Sequence, residues 1–255
     1  MRAEALIPLD LLFGFLLTLA RVGALLALVP LPGFGQAPKT ARLVLALGLA
    51  FALAPARPPA PPPGPGTLLA WMASEAALGL TAGVVVALLN EGFVVACQTL
   101  GTQAGFSYAT TIDPASQADS GVLQVFGHLT ASLLFFSLGL DRHLIRICAS
   151  GIASHPPGAF APGGDALGAV VGLGAGMLTL GVRLALPVAG FLMLADIALA
   201  LLGRLNAQLQ LLMLAFPVKM LASMALLAAA AGAFPVLYER AAARSLAVLA
   251  RLVGS

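Results

Sequence analysis

What constrains this chain most is how rarely charge interrupts its apolar runs. From Leu9 to Val29 only Asp10 and Arg21 are charged, and from Gln208 to Phe234 only Lys219 is. Over the whole sequence 9% of residues are charged and 60% are hydrophobic, with a mean hydropathy of +1.01. A soluble domain carries about 25% charged residues. In lipid, only helices and closed barrels satisfy every backbone polar group. Apolar runs this long and continuous select the helix, so the expected fold is a single domain (residues 1–255) of an all-α integral membrane protein. The formal net charge of +3 is small and dispersed. No basic stripe is interleaved with aromatics, so a nucleic-acid partner has no support. Acidic Glu4 and Asp10 precede the first apolar run and no small-x-small cleavage site follows a short core, so that run is read as a retained helix.

Proline and glycine punctuate the rest. A first helix is expected from Leu9 to Val29, ending at Pro30-Leu31-Pro32-Gly33-Phe34-Gly35. A second is expected from Pro38 to Ala54, with Pro38 acceptable in its first turn. The Pro/Gly run of residues 55–66 is a solvated, extended linker of about 3.1 Å per residue. A third helix runs from Thr67 towards Gln103. A fourth, capped by Asp113 or by Asp119-Ser120, reaches Ser154. A fifth covers Asp165 to Leu202 with a kink at Pro187, and a sixth covers Gln208 to Phe234. A spanning helix needs about 20 apolar residues. The second segment is shorter than that and the third and fifth are much longer, which fits long, bent hairpins packed against protein better than six independent spans.

Between the third and fourth helices, residues 105–114 read Gly-Phe-Ser-Tyr-Ala-Thr-Thr-Ile-Asp-Pro. A glycine, two aromatics and an Asp-Pro helix start suit a re-entrant segment. Irregular backbone is tolerated at membrane depth only where protein or a water-filled cavity surrounds it. Elsewhere Gly168, Gly172 and Gly176 recur every four residues, as do Gly79/Gly83 and Gly101/Gly105. That spacing lets a neighbouring backbone approach one helix face.

Arg21, Glu75, Glu91, Arg183, Asp196, Arg204 and Lys219 lie in or at the edges of apolar helices, where each costs about 2.5–3.5 kcal/mol at a helix centre. No opposite-sign pair among them has the i,i+3 or i,i+4 spacing that neutralises charge within one helix. Their partners must come from other helices, other subunits or water. Structural ion pairs, contacts between subunits and a proton relay are the three readings. The relay is the weakest, because carboxylates and histidines do not line up along one path. Glu91, Gln98 and Thr102 share a stripe of the third helix that is expected to face protein.

Chemistry-bearing constellations are missing from the pattern. His128, His143 and His155 have no acidic or cysteine neighbour at ligand spacing, so no metal is expected. Cys97 and Cys148 sit singly in apolar runs and read as packing residues. Nucleophile signatures, paired acid/base carboxylates and phosphate-cradling loops are absent, so neither an enzyme nor a cofactor is expected. The tail from Leu237 to Val253 is amphipathic, with Arg240, Arg244 and Arg251 opposite Leu246, Leu249 and Val253. Such a helix can lie on an anionic membrane surface or continue the last span.

Several blocks, in order, carry a resemblance. They are Arg21-Val22-Gly23 with Pro30-Leu31-Pro32-Gly33; then Glu91-Gly92, Gln98, Gly101, Gln103, Gly105-Phe106-Ser107 and Asp113-Pro114. Next come Leu134-Phe135-Phe136, His143-Leu144-Ile145, Ser154 and Pro157-Gly158, followed by Arg183 to Val188, Asp196, Leu202-Gly203-Arg204, Gln208 and Phe216-Pro217-Val218-Lys219. Together they resemble the FliR/T family of type III secretion export gates. One departure is Gly139-Leu140-Asp141-Arg142-His143, where flagellar members show a Gly-Gly-His-His-like run.

The resemblance implies a bacterial inner-membrane subunit of the flagellar basal body that joins FliP and FliQ in a helical assembly, beside FlhA-like and FlhB-like components. It implies that unfolded export substrates pass through the centre and that the loop after Gly105 forms part of a plug. Phe106 and Tyr108 would then be the pore-blocking aromatics, Ser107 would lie between them, Gly105 would permit the turn, and Asp113 with Pro114 would start the returning helix. Arg21, Glu75, Glu91, Gln98, Arg183, Asp196, Arg204 and Lys219 would be intramembrane or inter-subunit contacts. The rival reading is a stand-alone multi-spanning transporter of small molecules.

Overall fold

The computed structural model describes residues 9–29, 39–57, 64–106, 121–154, 156–160, 163–205 and 211–253. Its helices are α1 (Leu9–Leu28), α2 (Lys39–Leu53), α3 (Pro65–Ala104), α4 (Val122–Ser137), α5 (Leu140–Ser154), α6 (Gly164–Leu205), α7 (Leu211–Ala230) and α8 (Phe234–Val253). Short 3-10 turns at Ala54–Ala56 and Ala231–Ala233 follow α2 and α7. Among the described residues there is no strand. Among the described residues four helices are long and apolar enough to cross a membrane, or five if α4 and α5 count as one bent span. The protein is an all-α integral membrane protein.

Length follows from where the breakers stand. Pro65 occupies the first position of α3, where its missing N–H is no loss, and nothing interrupts the helix for 40 residues. At 1.5 Å per residue such a helix is roughly 60 Å long, about twice the 30 Å hydrocarbon core of a bilayer. The 42-residue α6 passes through Pro187 without a break, and α7 likewise contains Pro217. α3 is the packed element, with 61% of its span buried within the chain, against 17% for the span in α6.

The chain packs as two compact units. The first comprises Met1–Leu88, Phe135–Gly174 and Ala242–Ser255, and the second Leu89–Leu134 and Ala175–Ala241. In the first, Leu17, Val22 and Leu25 of α1 are buried, as are Leu78 and Val85 of α3. The Arg42 guanidinium donates to the Ala27 carbonyl in the last turn of α1, which ties α2 to α1. In the second, Phe93 of α3 packs edge-on against Phe234 and Tyr238 of α8, with ring centroids 5.7 and 5.3 Å away. The Tyr238 hydroxyl donates to the side-chain oxygen of Asn90, one turn before Phe93.

Two expectations from the sequence need correction, and one that the sequence left open is decided. The fourth helix is not continuous to Ser154: α4 and α5 meet at a 63° bend. Gly139 makes the bend by taking a positive φ of 65°, which an L side chain resists. Its N–H bonds the Phe136 carbonyl at 3.0 Å, and its carbonyl accepts the His143 backbone N–H at 3.3 Å. Apolar residues continue on both sides of the turn, so periodicity alone could not find it. Whether Asp113 or Asp119-Ser120 caps α4 falls outside the described residues.

The glycine spacing holds for one pair and fails for another. A Cβ on Gly79 would sit 2.1 Å from the Arg21 carbonyl oxygen, and one on Gly83 would sit 2.9 Å from that of Leu25, so α1 lies directly on these glycines. Around Gly168, Gly172 and Gly176 there is nothing within 4 Å. The close approach on α6 is instead at Gly181, where a Cβ would be 3.0 Å from the Gly92 carbonyl oxygen. Finally, the tail spends its amphipathicity on protein. Tyr238, Ala242, Ser245 and Leu249 of α8 are buried at helical spacing while Arg240, Arg244 and Arg251 are exposed. The span from Ala215 to Leu252 passes from α7 into α8, so the tail continues the last span.

Candidate functional site

Two charged clusters collect four of the eight polar side chains singled out in the sequence as contacts, and a helix terminus stands beside the second. The first cluster follows from the Gly79/Gly83 contact. Glu75 is one turn before Gly79 on the same stripe of α3, so the approach of α1 carries Arg21 onto it. Arg21 Nε meets Glu75 Oε2 at 2.5 Å and Arg57 Nη1 meets Glu75 Oε1 at 3.1 Å. All three side chains are 2–3% exposed. Two guanidiniums share one carboxylate, and among the described residues Arg21 Nη1, Arg57 Nε and Arg57 Nη2 have no hydrogen-bond partner.

The helix terminus is the end of α3. The Phe106 N–H bonds the Gly101 carbonyl at 3.0 Å and the Gly105 N–H bonds that of Thr102 at 3.2 Å. These are the paired bonds of a Schellman cap, which requires a left-handed residue just past the helix. Gly105 supplies it with φ 88°. A Cβ there would also meet the Phe216 ring, 2.7 Å from Cδ1. Sterics on two counts therefore hold this position to glycine, and Phe106, half-buried, is where the chain leaves the helix.

The second cluster stands beside that cap. Lys219 Nζ of α7 lies 2.7 Å from Asp196 Oδ1 of α6 and 2.9 Å from Oδ2. Gln103 Nε2, in the last turn of α3, donates to Asp196 Oδ2 at 3.3 Å. The lysine side chain is 11% exposed and the aspartate 45%. One carboxylate thereby joins three helices.

Of the residues named from sequence, Arg21, Glu75, Asp196 and Lys219 pair within the chain, across helices and never along one. Glu91 is half-buried, and Gln98, Arg183 and Arg204 are exposed. Among the described residues, Glu91, Arg183 and Arg204 make no ion pair. Of the stripe expected to face protein, Glu91 is half-buried and Gln98 and Thr102 are exposed among the described residues, while the buried face of α3 there runs through Phe93, Val94, Cys97 and Leu100. Gly105 and Phe106 are described, whereas Ser107, Tyr108, Asp113 and Pro114 fall outside the described residues. Among the described residues no three of His, Cys, Asp and Glu group as metal ligands.

Sequence reasoning missed Arg57, the only charge in the Pro/Gly run, and Asn90, which follows the apolar run Val84–Leu89 in α3. Both carried a signal. A charge or amide demands a partner wherever it is buried.

The comparisons with known proteins agree on one family. The model of "Bacterial export proteins, family 1" matches residues 12–245. The flagellar biosynthetic protein FliR of Escherichia coli K12 is 28% identical over 212 residues, 83% of this chain and 81% of that protein. FliR of Caulobacter vibrioides is 27% identical over 215 residues, covering 83% and 86%. FliR of Bacillus subtilis is 26% identical over 223 residues, 86% of each chain. With the match running from α1 into α8, this chain belongs to family 1 of the bacterial export proteins.

Proposed function

We propose that this chain is a core subunit of the flagellar type III protein export gate, assembling with FliP-type and FliQ-type subunits around a pore for unfolded proteins. The observation that carries the reading is the family match over residues 12–245 together with the flagellar names of its relatives. Three features of the molecule support it. Helices about twice as long as the bilayer core is thick suit a subunit enclosed by others better than an independent bundle. α6 exposes Leu178, Val182, Leu186, Leu194, Ile197 and Leu201 alongside Arg183, and an unpaired arginine on such a face is costly in lipid. A neighbouring subunit with a carboxylate would neutralise it. α3 ends in a glycine-dependent cap at Gly105, just before the residues read as the plug.

In this reading residues 105–114 form the plug. Phe106 and Tyr108 block the path at rest, Asp113 and Pro114 begin the return, and export displaces the loop while other components supply the energy. Deleting residues 105–110 is expected to raise ion leakage across membranes containing the assembled gate. Unchanged leakage with normal export of a flagellar substrate rejects the plug. For the assembly, Arg183→Glu and Arg204→Glu are expected to lower co-purification with the P-type and Q-type subunits. A chain that is stable and moves a small solute alone rejects the gate and favours a transporter.

A further inference from the structure

Arg142, His143 and Arg146 stand together on α5, away from both charged clusters, and the proposed gate uses none of them. All three are exposed, while Leu140, Leu144, Cys148 and Ile152 bury the other face of the helix. Arg142 and Arg146 are four residues apart and therefore neighbours on the helix surface, where like charges repel. Among the described residues neither arginine makes an ion pair. Asp141, the one acid of α5, is half-buried and lies one and five positions away, off their face of the helix. The pair needs a counter-charge from outside the chain.

We propose that Arg142 and Arg146 bind the phosphate of an anionic phospholipid and hold α5 at the membrane surface. The inference goes beyond the gate reading and stands whatever passes through the assembly. Large apolar side chains edge the basic pair: Phe136, just before the Gly139 turn, and Ile145, between the arginines, are both exposed. That combination matches a membrane interface, where apolar groups enter the acyl boundary and guanidiniums meet phosphate oxygens. At 15 residues α5 is too short to span, and at a helix centre in lipid each arginine would cost about 2.5–3.5 kcal/mol. The 63° bend removes the conflict. A helix that leaves a span at this angle lies closer to the membrane plane than to its normal, so two arginines about 6 Å apart along its axis reach one headgroup layer. The turn that sets the angle is tied by His143, whose Nδ1 lies 3.0 Å from the Gly139 carbonyl oxygen.

The test titrates the purified full chain in detergent with phosphatidylglycerol or with phosphatidylcholine of the same acyl chains, and counts bound lipid by native mass spectrometry. Phosphatidylglycerol is expected to bind roughly 25-fold more tightly, about fivefold for each arginine. Arg142→Gln with Arg146→Gln should abolish that preference, and Arg142→Lys with Arg146→Lys should keep most of it. Arg240→Gln with Arg244→Gln removes the same charge from the exposed side of α8 and should leave the preference intact. Equal binding of the two lipids by the unaltered chain overturns the proposal. So does an equal loss in the α5 and α8 glutamine variants, which would make the preference a matter of net charge. Displacement of phosphatidylglycerol by inorganic phosphate would assign the pair to a free anion and overturn the lipid. An unchanged preference in the α5 glutamine variant, with an acidic protein lost from the co-purified complex, assigns the face to that protein instead.

Discussion

The two charged clusters are built from the same residue types and differ in enclosure. Around Glu75 three side chains are nearly inaccessible, with one carboxylate between two guanidiniums. Around Asp196 the carboxylate is 45% exposed and pairs with one ammonium. Burial raises both the attraction within a pair and the penalty for removing one member. The first cluster therefore sits where the helices must not part. The second sits where a small rearrangement is affordable. Fixed packing and adjustable positioning are thus separated by degree of exposure.

The largest expected effect is at Glu75. Glu75→Gln leaves two buried guanidiniums without their counter-charge, and loss of one partner of a buried pair costs roughly 3–5 kcal/mol. Total stability is only about 5–15 kcal/mol, so the variant should accumulate poorly and unfold at markedly lower temperature in detergent. Near-normal unfolding would show that the two clusters do not differ in kind. Gly79→Ala comes next, because its Cβ would lie 2.1 Å from the Arg21 carbonyl oxygen. Forcing α1 from α3 should cost about 1–3 kcal/mol, as overpacking does, and should loosen the Arg21–Glu75 contact as well. A smaller effect, at most about 1 kcal/mol, is expected for Asp196→Asn, since half-exposed pairs contribute little. Its unfolding temperature should barely move. Smallest is Arg57→Met. Among the described residues Arg57 Nε and Nη2 have no hydrogen-bond partner, and its loss leaves a balanced Arg21–Glu75 pair, so calorimetry should find stability unchanged or slightly raised. A large loss there would show that the second guanidinium is needed to hold the η turn against α3.

How much of this was legible depended on the range of the interaction. The limits of α1 and α3 could be read closely, since proline and glycine act on their own turns. The 63° bend at Gly139 could not, because a glycine flanked by apolar residues reads equally as helix packing. The glycine repeats show the same limit. Spacing marks which residues could admit a neighbour, but only the path of α1 decides that Gly79 and Gly83 do so while Gly168, Gly172 and Gly176 do not. Arg57 was passed over inside a linker read as solvated, and Asn90 was not singled out. Each gained its role from a partner at least 18 positions away in sequence.

By itself the sequence determined that the chain is helical and lives in a membrane, and where α1 and α3 run. Those outcomes rest on local backbone sterics and on the partition of side chains between water and lipid, and each residue carries them without its neighbours in space. Tertiary structure decided which charges meet and which glycines are covered. It also turned the arginine-bearing tail into packing and put the end of α3 under a phenylalanine and a carboxylate. Such choices depend on distances of a few ångströms between segments far apart in sequence, and no local property of either segment contains them.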